Sequence, residues 1–230
     1  MSNEYRRLCD AKSSFLYTRN PPDFLDTFKK NNFSSIVDVG CGDGNLLFSL
    51  KSMNLLSNSK VFAADLSSTR INNLKKNIPD VHAFVSDATN LTNFQSNYFD
   101  FVNCSMLIEH VPDENALIYE LKRIVKPHGI IRLTTIYKKW YGWYFYRNNN
   151  KWVIDPTHLR EYTTTEDLFE KIRHADLKIE SSTMNLSWFP IVDFFLHRCY
   201  NGKTNIIIDI LRLIKIPIPG YYSWILYIKK

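Results

Sequence analysis

The stretch Asp38-Val39-Gly40-Cys41-Gly42-Asp43-Gly44 constrains the fold more than any other part of the chain. It overlaps the apolar run Ile36-Val37-Asp38-Val39, which reads as a buried strand, and precedes Asn45 to Met53, which reads as a helix. Three glycines at alternate positions let the backbone turn sharply and approach a ligand closely, because no Cβ intervenes. In an open α/β sheet, ligands bind beyond the carboxyl ends of the strands, where this turn lies. The spacing is Gly-x-Gly-x-Gly, so the Gly-x-Gly-x-x-Gly of a nicotinamide dinucleotide site is missing. An acid two positions ahead of Gly40 repels a pyrophosphate and suits a ligand carrying an ammonium or a sulfonium.

The strand–helix rhythm continues downstream. Lys60 to Ala64 reads as a second strand, followed by a helix from Ser67 to Asn77 capped by Ser67 or Ser68. Val81 to Val85 and Phe99 to Cys104 are the third and fourth strands. Asp113 caps a helix to Val125, Pro127 stops it, and Gly129 to Ile136 is the fifth strand. Such alternation predicts a parallel sheet covered on both faces. After Ile136 the rhythm breaks. Residues 137–160 form a long aromatic and basic connection. Thr164 or Thr165 caps a helix to about His174, and Leu177 to Met184 and Tyr221 to Ile228 read as closing strands. The expected architecture is α/β, a Rossmann-like and mostly parallel seven-stranded sheet with helices on both faces and an antiparallel last strand. One domain spans 1–230. It includes an N-terminal helical cap (1–33, with helix ahead of Pro21-Pro22), an acceptor-side loop (137–162) and an apolar insertion, read as helical, between the last two strands (187–220).

Two further acids follow strand ends. Asp65 ends the second strand, where a carboxylate can accept from both hydroxyls of a ribose; capping the helix that starts near Ser67 is the other reading. Asp87 follows the third strand and can meet an exocyclic amine of a base, or act as a turn residue. Together with the glycine loop, four later stretches carry a resemblance. They are Phe99 to Met106, Ile108-Glu109-His110-Val111-Pro112-Asp113, Leu121 to Gly129, and the closing strand pair. The chain resembles class I S-adenosylmethionine-dependent methyltransferases over residues 34–230, most of all the small-molecule, type 11-like branch of quinone-biosynthesis and glycan-cluster enzymes. Two departures stand out: Pro127-His128-Gly129 replaces Pro-Gly-Gly, and Asp176 replaces a glycine at a site that asks for a left-handed backbone.

The resemblance implies S-adenosyl-L-methionine as cofactor and assigns roles. The loop Gly40, Cys41, Gly42 and Gly44 contacts the methionine portion, with Asp38 orienting its amino group. Asp65 holds the ribose, Leu66 lies against the adenine, Asp87 and Ala88 read the adenine edge, and Ser105 lies beside the methyl group. Cys41 and Cys104 read as small buried fillers. Methyl transfer to a hydroxyl also needs a base, and His158 and His110 are the candidates. His158 lies in Asp155-Pro156-Thr157-His158-Leu159-Arg160-Glu161-Tyr162, a polar segment that follows the fifth strand. Tyr141, Trp143, Arg160 and Tyr162 are the expected acceptor contacts.

Composition limits the rest. With 230 residues and 45% apolar content, the chain can bury a core without staples, which excludes disordered, collagenous and disulfide-scaffold classes. Four cysteines far apart, with no CxxC, argue for no metal site and no disulfide framework. No signal peptide or membrane span is visible, so a cytoplasmic protein is expected. The net charge of +6 permits an anionic partner without demanding one. Residues 137–152 interleave eight aromatics with Lys138, Lys139, Arg147 and Lys151. That strip can stack on a sugar, ring or base, pack as a lid, or lie in a membrane interface. The expected function is methyl transfer to a hydroxyl of a small molecule, saccharide or lipid-linked acceptors included. RNA methylation, or a non-catalytic cofactor-binding partner subunit, is the alternative. In the C-terminal insertion, Asp209, Arg212 and Lys215 form one narrow polar stripe along the mostly apolar stretch Ile206 to Ile216, which can roof the pocket, contact another subunit or make peripheral contact with a membrane surface.

Overall fold

A strand buried on both faces must be apolar on both, and β1 (Ser35–Val39) is buried at all five positions. In the computed structural model, which describes residues 22–144, 146–148, 151–190 and 214–230, β1 lies in the interior of a seven-stranded sheet, third in order and beside the central strand. Its neighbours are β2 (Lys60–Asp65) and β4 (Phe99–Ser105), both parallel to it. The full order is β3-β2-β1-β4-β5-β9-β8, with β3 (His82–Val85), β5 (Val125–Lys138), β8 (Lys178–Pro190) and β9 (Lys215–Lys229). Only β9 runs antiparallel, pairing with β5 on one side and β8 on the other. The expected Rossmann-like sheet is therefore present. A small hairpin, β6 (Tyr146–Asn148) with β7 (Lys151–Val153), forms within the connection after β5.

Helices cover both faces. On one, α1 (Pro22–Lys30), α2 (Asn45–Ser52) and α3 (Ser68–Asn77) bury Phe24, Leu47, Ile71 and Leu74 against Ile36, Ala63 and Phe101. On the other, α4 (Glu114–Ile124) and α5 (Glu166–His174) bury Leu117, Leu121, Leu168 and Ile172 against Val102 and Leu133. Each such side chain contributes about 1.5–3 kcal/mol. The caps follow the sequence: the Ser67 hydroxyl accepts from the Arg70 amide at 3.3 Å, and Asp113 accepts from the Ala116 amide at 3.0 Å. Asp176 takes the left-handed backbone expected of it, at φ 49°.

Two expectations change, and two others lie wholly or partly outside the described residues. Within the expected N-terminal cap, α1 begins at Pro22, since a first-turn proline has no amide hydrogen to leave unpaired, while the helix expected ahead of Pro21-Pro22 lies outside the described residues. Strand β5 starts at Val125, directly after α4, with His128 at φ 64° leading into Gly129. The segment 187–220 is strand at both ends, because β8 and β9 continue pairing through Trp188 with Pro217 and Phe189 with Ile216. Residues 191–213, including most of the expected polar stripe at Asp209 and Arg212, lie outside the described residues.

One row of side chains breaks the apolar pattern. Asp38, Asn103, Arg132 and Tyr227 face each other in register across β1, β4, β5 and β9. Asn103 donates to Asp38 at 2.7 Å, and Arg132 donates to Asn103 at 3.2 Å and to Asp23 of α1 at 2.9 Å. The Arg132 guanidinium lies 4.8 Å from the centre of the Phe24 ring. Asp38, Asn103 and Arg132 are all buried, so this row is polar matter inside the core, and it holds together because each member pairs with the next.

Candidate active site

The chain leaves β1 at Val39 and must turn at once. Gly40, Gly42 and Gly44 take φ values of 75°, 55° and 87°, a region costly for any residue with a Cβ. Space also forbids side chains at two of them. A Cβ on Gly40 would meet Leu107 at 2.8 Å, and one on Gly44 would meet Leu74 at 2.9 Å. The Gly40 and Cys41 amides both donate to the Ala64 carbonyl, which ties the loop to β2. Asp65 completes the tie. One carboxylate oxygen accepts from the Gly42 amide and the other from the Ser67 amide, each at 2.9 Å. Asp43 holds the far side by accepting from Asn73 of α3 at 2.8 Å.

Beyond these strand ends, a narrow cavity is lined by Gly40, Asp65, Leu66, Ala88, Ser86 and Leu107. Asp38 lies beneath the loop. Burial, opposed by the Asn103 hydrogen bond and reinforced by nearby Asp65, raises its pKa to about 6. A larger cavity of about 470 Å³ opens at the other end of the sheet, between α1 and the ends of β8 and β9, and contains none of these residues.

A second cluster lies at the tip of β4. Glu109, His110 and His158 each place a polar atom within 4.8 Å of the others'. The two imidazoles meet edge to face at 4.8 Å. One Glu109 oxygen accepts from Thr135 at 3.0 Å, while the other is buried without a partner. Burial drives the Glu109 carboxyl up to about 7 and the His110 imidazole down to about 4, the latter helped by His158. His158 is held at Nδ1 by Glu161, 3.2 Å away. Glu161 also accepts from the Ile154 amide at 2.7 Å and pairs with Lys138. Burial opposes its ionisation, but His158, Ile154 and Lys138 outweigh that and hold its carboxyl below the usual range. Thr157 contacts His110 at Nδ1, 3.2 Å from its hydroxyl.

Comparison with known proteins decides what this arrangement belongs to. Residues 37–133 match the family model described as a methyltransferase domain. The Neisseria meningitidis ubiquinone biosynthesis O-methyltransferase is 27% identical over 139 residues, 60% of this chain and 56% of the relative. Among solved structures, the Streptomyces coelicolor geranyl diphosphate C-methyltransferase, with S-adenosyl-L-homocysteine bound, superposes with TM-score 0.61 at 16% identity, over 90% of this chain and 75% of that one. The Haemonchus contortus phosphoethanolamine N-methyltransferase 2, with S-adenosyl-L-methionine bound, gives 0.60 at 16%, over 90% and 51%. Residues 37–133 form a class I S-adenosylmethionine-dependent methyltransferase domain. The matches span about half the length of the curated relatives. Between them, these proteins are named for methylating oxygen, carbon and nitrogen, so the domain alone leaves the acceptor atom open.

The residues of this domain fit the cofactor. Three glycines form a cradle that a Cβ would fill or strain, and the Gly42 Cβ position faces only Arg70 at 3.4 Å. A buried acid stands below the loop for an ammonium, and the buried Asn45 Oδ1, at the first turn of α2, has no partner within the protein. Gly40, Asp65, Leu66 and Ala88 line one cavity, as the resemblance implies. Sequence reasoning missed Ser86 and Leu107 there.

Other expected site residues are engaged elsewhere. The Cys41 thiol is turned toward the core, where burial pushes its pKa up, and its amide and carbonyl are engaged by Ala64 and Gly44 within the loop. Burial likewise pushes up the Cys104 thiol. Asp87 is exposed and accepts from the Thr89 amide and hydroxyl at 2.9 and 2.7 Å, the turn geometry named as its other reading. Ser105 accepts from Arg132 at 3.0 Å and donates to Asn103 at 3.1 Å, which draws its hydroxyl into the polar row. Arg160 donates to the carbonyls of Ile108, Val111 and Pro112, and Tyr162 donates to Glu114 at 2.6 Å. Arg160 thus holds the loop that carries His110, and Tyr162 the start of α4. Tyr141 and Trp143 lie exposed on the outer rim.

Proposed function

We propose that this chain transfers a methyl group from S-adenosylmethionine to a hydroxyl oxygen of a small-molecule acceptor. The observation that carries this reading is the buried Glu109–His110–His158 cluster, which begins two residues past Leu107 of the cofactor cavity. Carbon acceptors with acidified protons and amines with free lone pairs ask less of a base than an alcohol does. When bound, the cofactor supplies a methyl already activated on a sulfonium. The glycine loop and Asp65 hold it, and ionised Asp38 faces its ammonium. His158 Nε2 would take the hydroxyl proton that transfer of the methyl to the acceptor oxygen releases. Glu161 keeps Nδ1–H pointed away from the acceptor and stabilises the imidazolium, the arrangement of an oriented histidine base. His110, held neutral by burial, packs against His158 and shields it from water. The free, buried thiols of Cys41 and Cys104 agree with a cytoplasmic setting.

A carboxylate and two imidazoles this close are also a donor set for a divalent cation, so the test includes a chelator. The protein is incubated with methyl-labelled cofactor and cell extract fractions. Label in a small hydroxyl-bearing molecule, unchanged by EDTA, is the expected result. Label in RNA, or S-adenosylhomocysteine binding without any transfer, contradicts it.

A further inference from the structure

The rim of the acceptor side carries an unusual surface. Trp140 is 93% exposed, with Tyr141 at 49%, Trp143 at 42% and Trp188 at 54%. Ile214 and Ile216 are exposed beside them, at 57% and 41%. These residues come from two separate segments that the fold brings to one end of the sheet. The Lys139 amide donates to Gly220 at 2.8 Å and the Trp143 amide to Pro219 at 3.2 Å. Trp188 lies opposite Pro217, and the ring of Tyr144 packs on Phe189 at 5.5 Å. Large aromatics singly exposed are ordinary, but several grouped at a site entrance mark a contact surface.

Along the described rim segments the charged side chains have one sign. From Leu133 to Ile154 the sequence holds Lys138, Lys139, Arg147 and Lys151 and no acid, and Lys215 begins β9 with no acid after it. Lys139, Arg147, Lys151 and Lys215 are exposed. A ring of tryptophan and tyrosine interleaved with lysine matches the headgroup region of a bilayer, where amphipathic rings settle and ammonium groups reach phosphates. Each basic residue near an anionic leaflet strengthens the attraction. No helix among the described residues is long and apolar enough to cross a membrane, so the contact is made from the surface.

We propose that this rim, formed by residues 139–143 with the facing ends of β8 and β9, docks on an anionic lipid bilayer. The connection that carries Trp140 and Trp143 also carries His158. A corollary, which rests on the methyl-transfer reading, is that the acceptor hydroxyl belongs to an amphiphile drawn from that bilayer.

Sedimentation of the full chain with phosphatidylcholine vesicles, with and without about one quarter phosphatidylglycerol, tests the surface. Binding is expected only with the anionic lipid, and it weakens as salt rises from about 50 to 300 mM. The triple variant Lys139→Glu, Trp140→Ala, Trp188→Ala changes exposed positions outside the cofactor site. It should bind vesicles at least about tenfold more weakly, with S-adenosylhomocysteine affinity unchanged, which separates this proposal from the catalytic one. Equal binding by the variant, or no preference for anionic lipid, overturns the proposal. So does a dimer that the same variant converts to monomer, or displacement of vesicles by RNA, since each assigns the rim to a different partner.

Discussion

The two halves of the sheet solve their tasks by different means. On the β1–β3 side, the proposed cofactor site is built mainly from backbone, through three glycines in a left-handed region and a loop tied by its amides to Ala64 and Asp65. Beyond β4 and β5, the proposed acceptor site is built from side chains, through Glu109, His110, His158 and Glu161. Backbone tasks restrict residue identity locally, so they leave a motif. Side-chain tasks draw on partners tens of residues apart, as with Thr135 and Glu109 or Tyr162 and Glu114, and leave little in any one window. Arg132 joins the halves, since its row runs from Asp23 to Asp38.

The largest effect should come from breaking the side-chain half alone. His158→Gln is expected to lower turnover by about 10²- to 10⁴-fold while S-adenosylhomocysteine affinity stays within about twofold. Cofactor affinity falling in step with turnover would erase the distinction between halves. Next, Arg132→Met strips the row of its cation and leaves Asp23 and Asn103 without it. A cost of about 3–5 kcal/mol is expected, read as a drop of roughly 10 °C in Tm. A shift under about 2 °C would show that the row is incidental.

A smaller effect sharpens the backbone half. Asp38 titrates at about 6 in the free protein, and only its ionised form attracts an ammonium. S-adenosylhomocysteine affinity should therefore be full above pH 6 and fall up to about tenfold per pH unit below it. Asp38→Asn should bind about tenfold more weakly at pH 8 and show a flat profile; a wild-type profile that is already flat would remove Asp38 from this role. The smallest effect concerns Glu109. Its folded pKa, about 7, lies above the ordinary carboxyl value of 4.5, so its contribution to stability is complete below pH 4.5 and lost as pH rises to about 7. Glu109→Gln should raise Tm by a few degrees at pH 8 and less at pH 5. The same gain at both values would show that the carboxyl is not strained by ionisation.

The sheet, its order of strand and helix, and Gly40, Gly42, Gly44 and Asp65 were legible because periodicity and turn chemistry are local. Arg132 was not assigned, although it carried a signal. A charged residue inside Ile130-Ile131-Arg132-Leu133 cannot stay unpaired in a buried strand, and Asn103 and Asp38 are the polar residues of two other buried strands. Glu109 was visible only as part of a stretch, because its meaning depends on His158 forty-nine positions later. Arg160 and Tyr162 were read as acceptor contacts from their polar neighbourhood. Their partners, carbonyls of the β4–α4 connection and Glu114 of α4, could be named only from the folded chain.

The central claim is that the glycine half holds S-adenosylmethionine on its own. Titration calorimetry of S-adenosylhomocysteine into the wild type and Asp65→Ala tests it most directly. The account predicts one site per chain in the wild type and at least about tenfold weaker binding in the variant, since Asp65 both shapes the loop and faces the cavity. No binding by the wild type, or equal binding by both proteins, would contradict it.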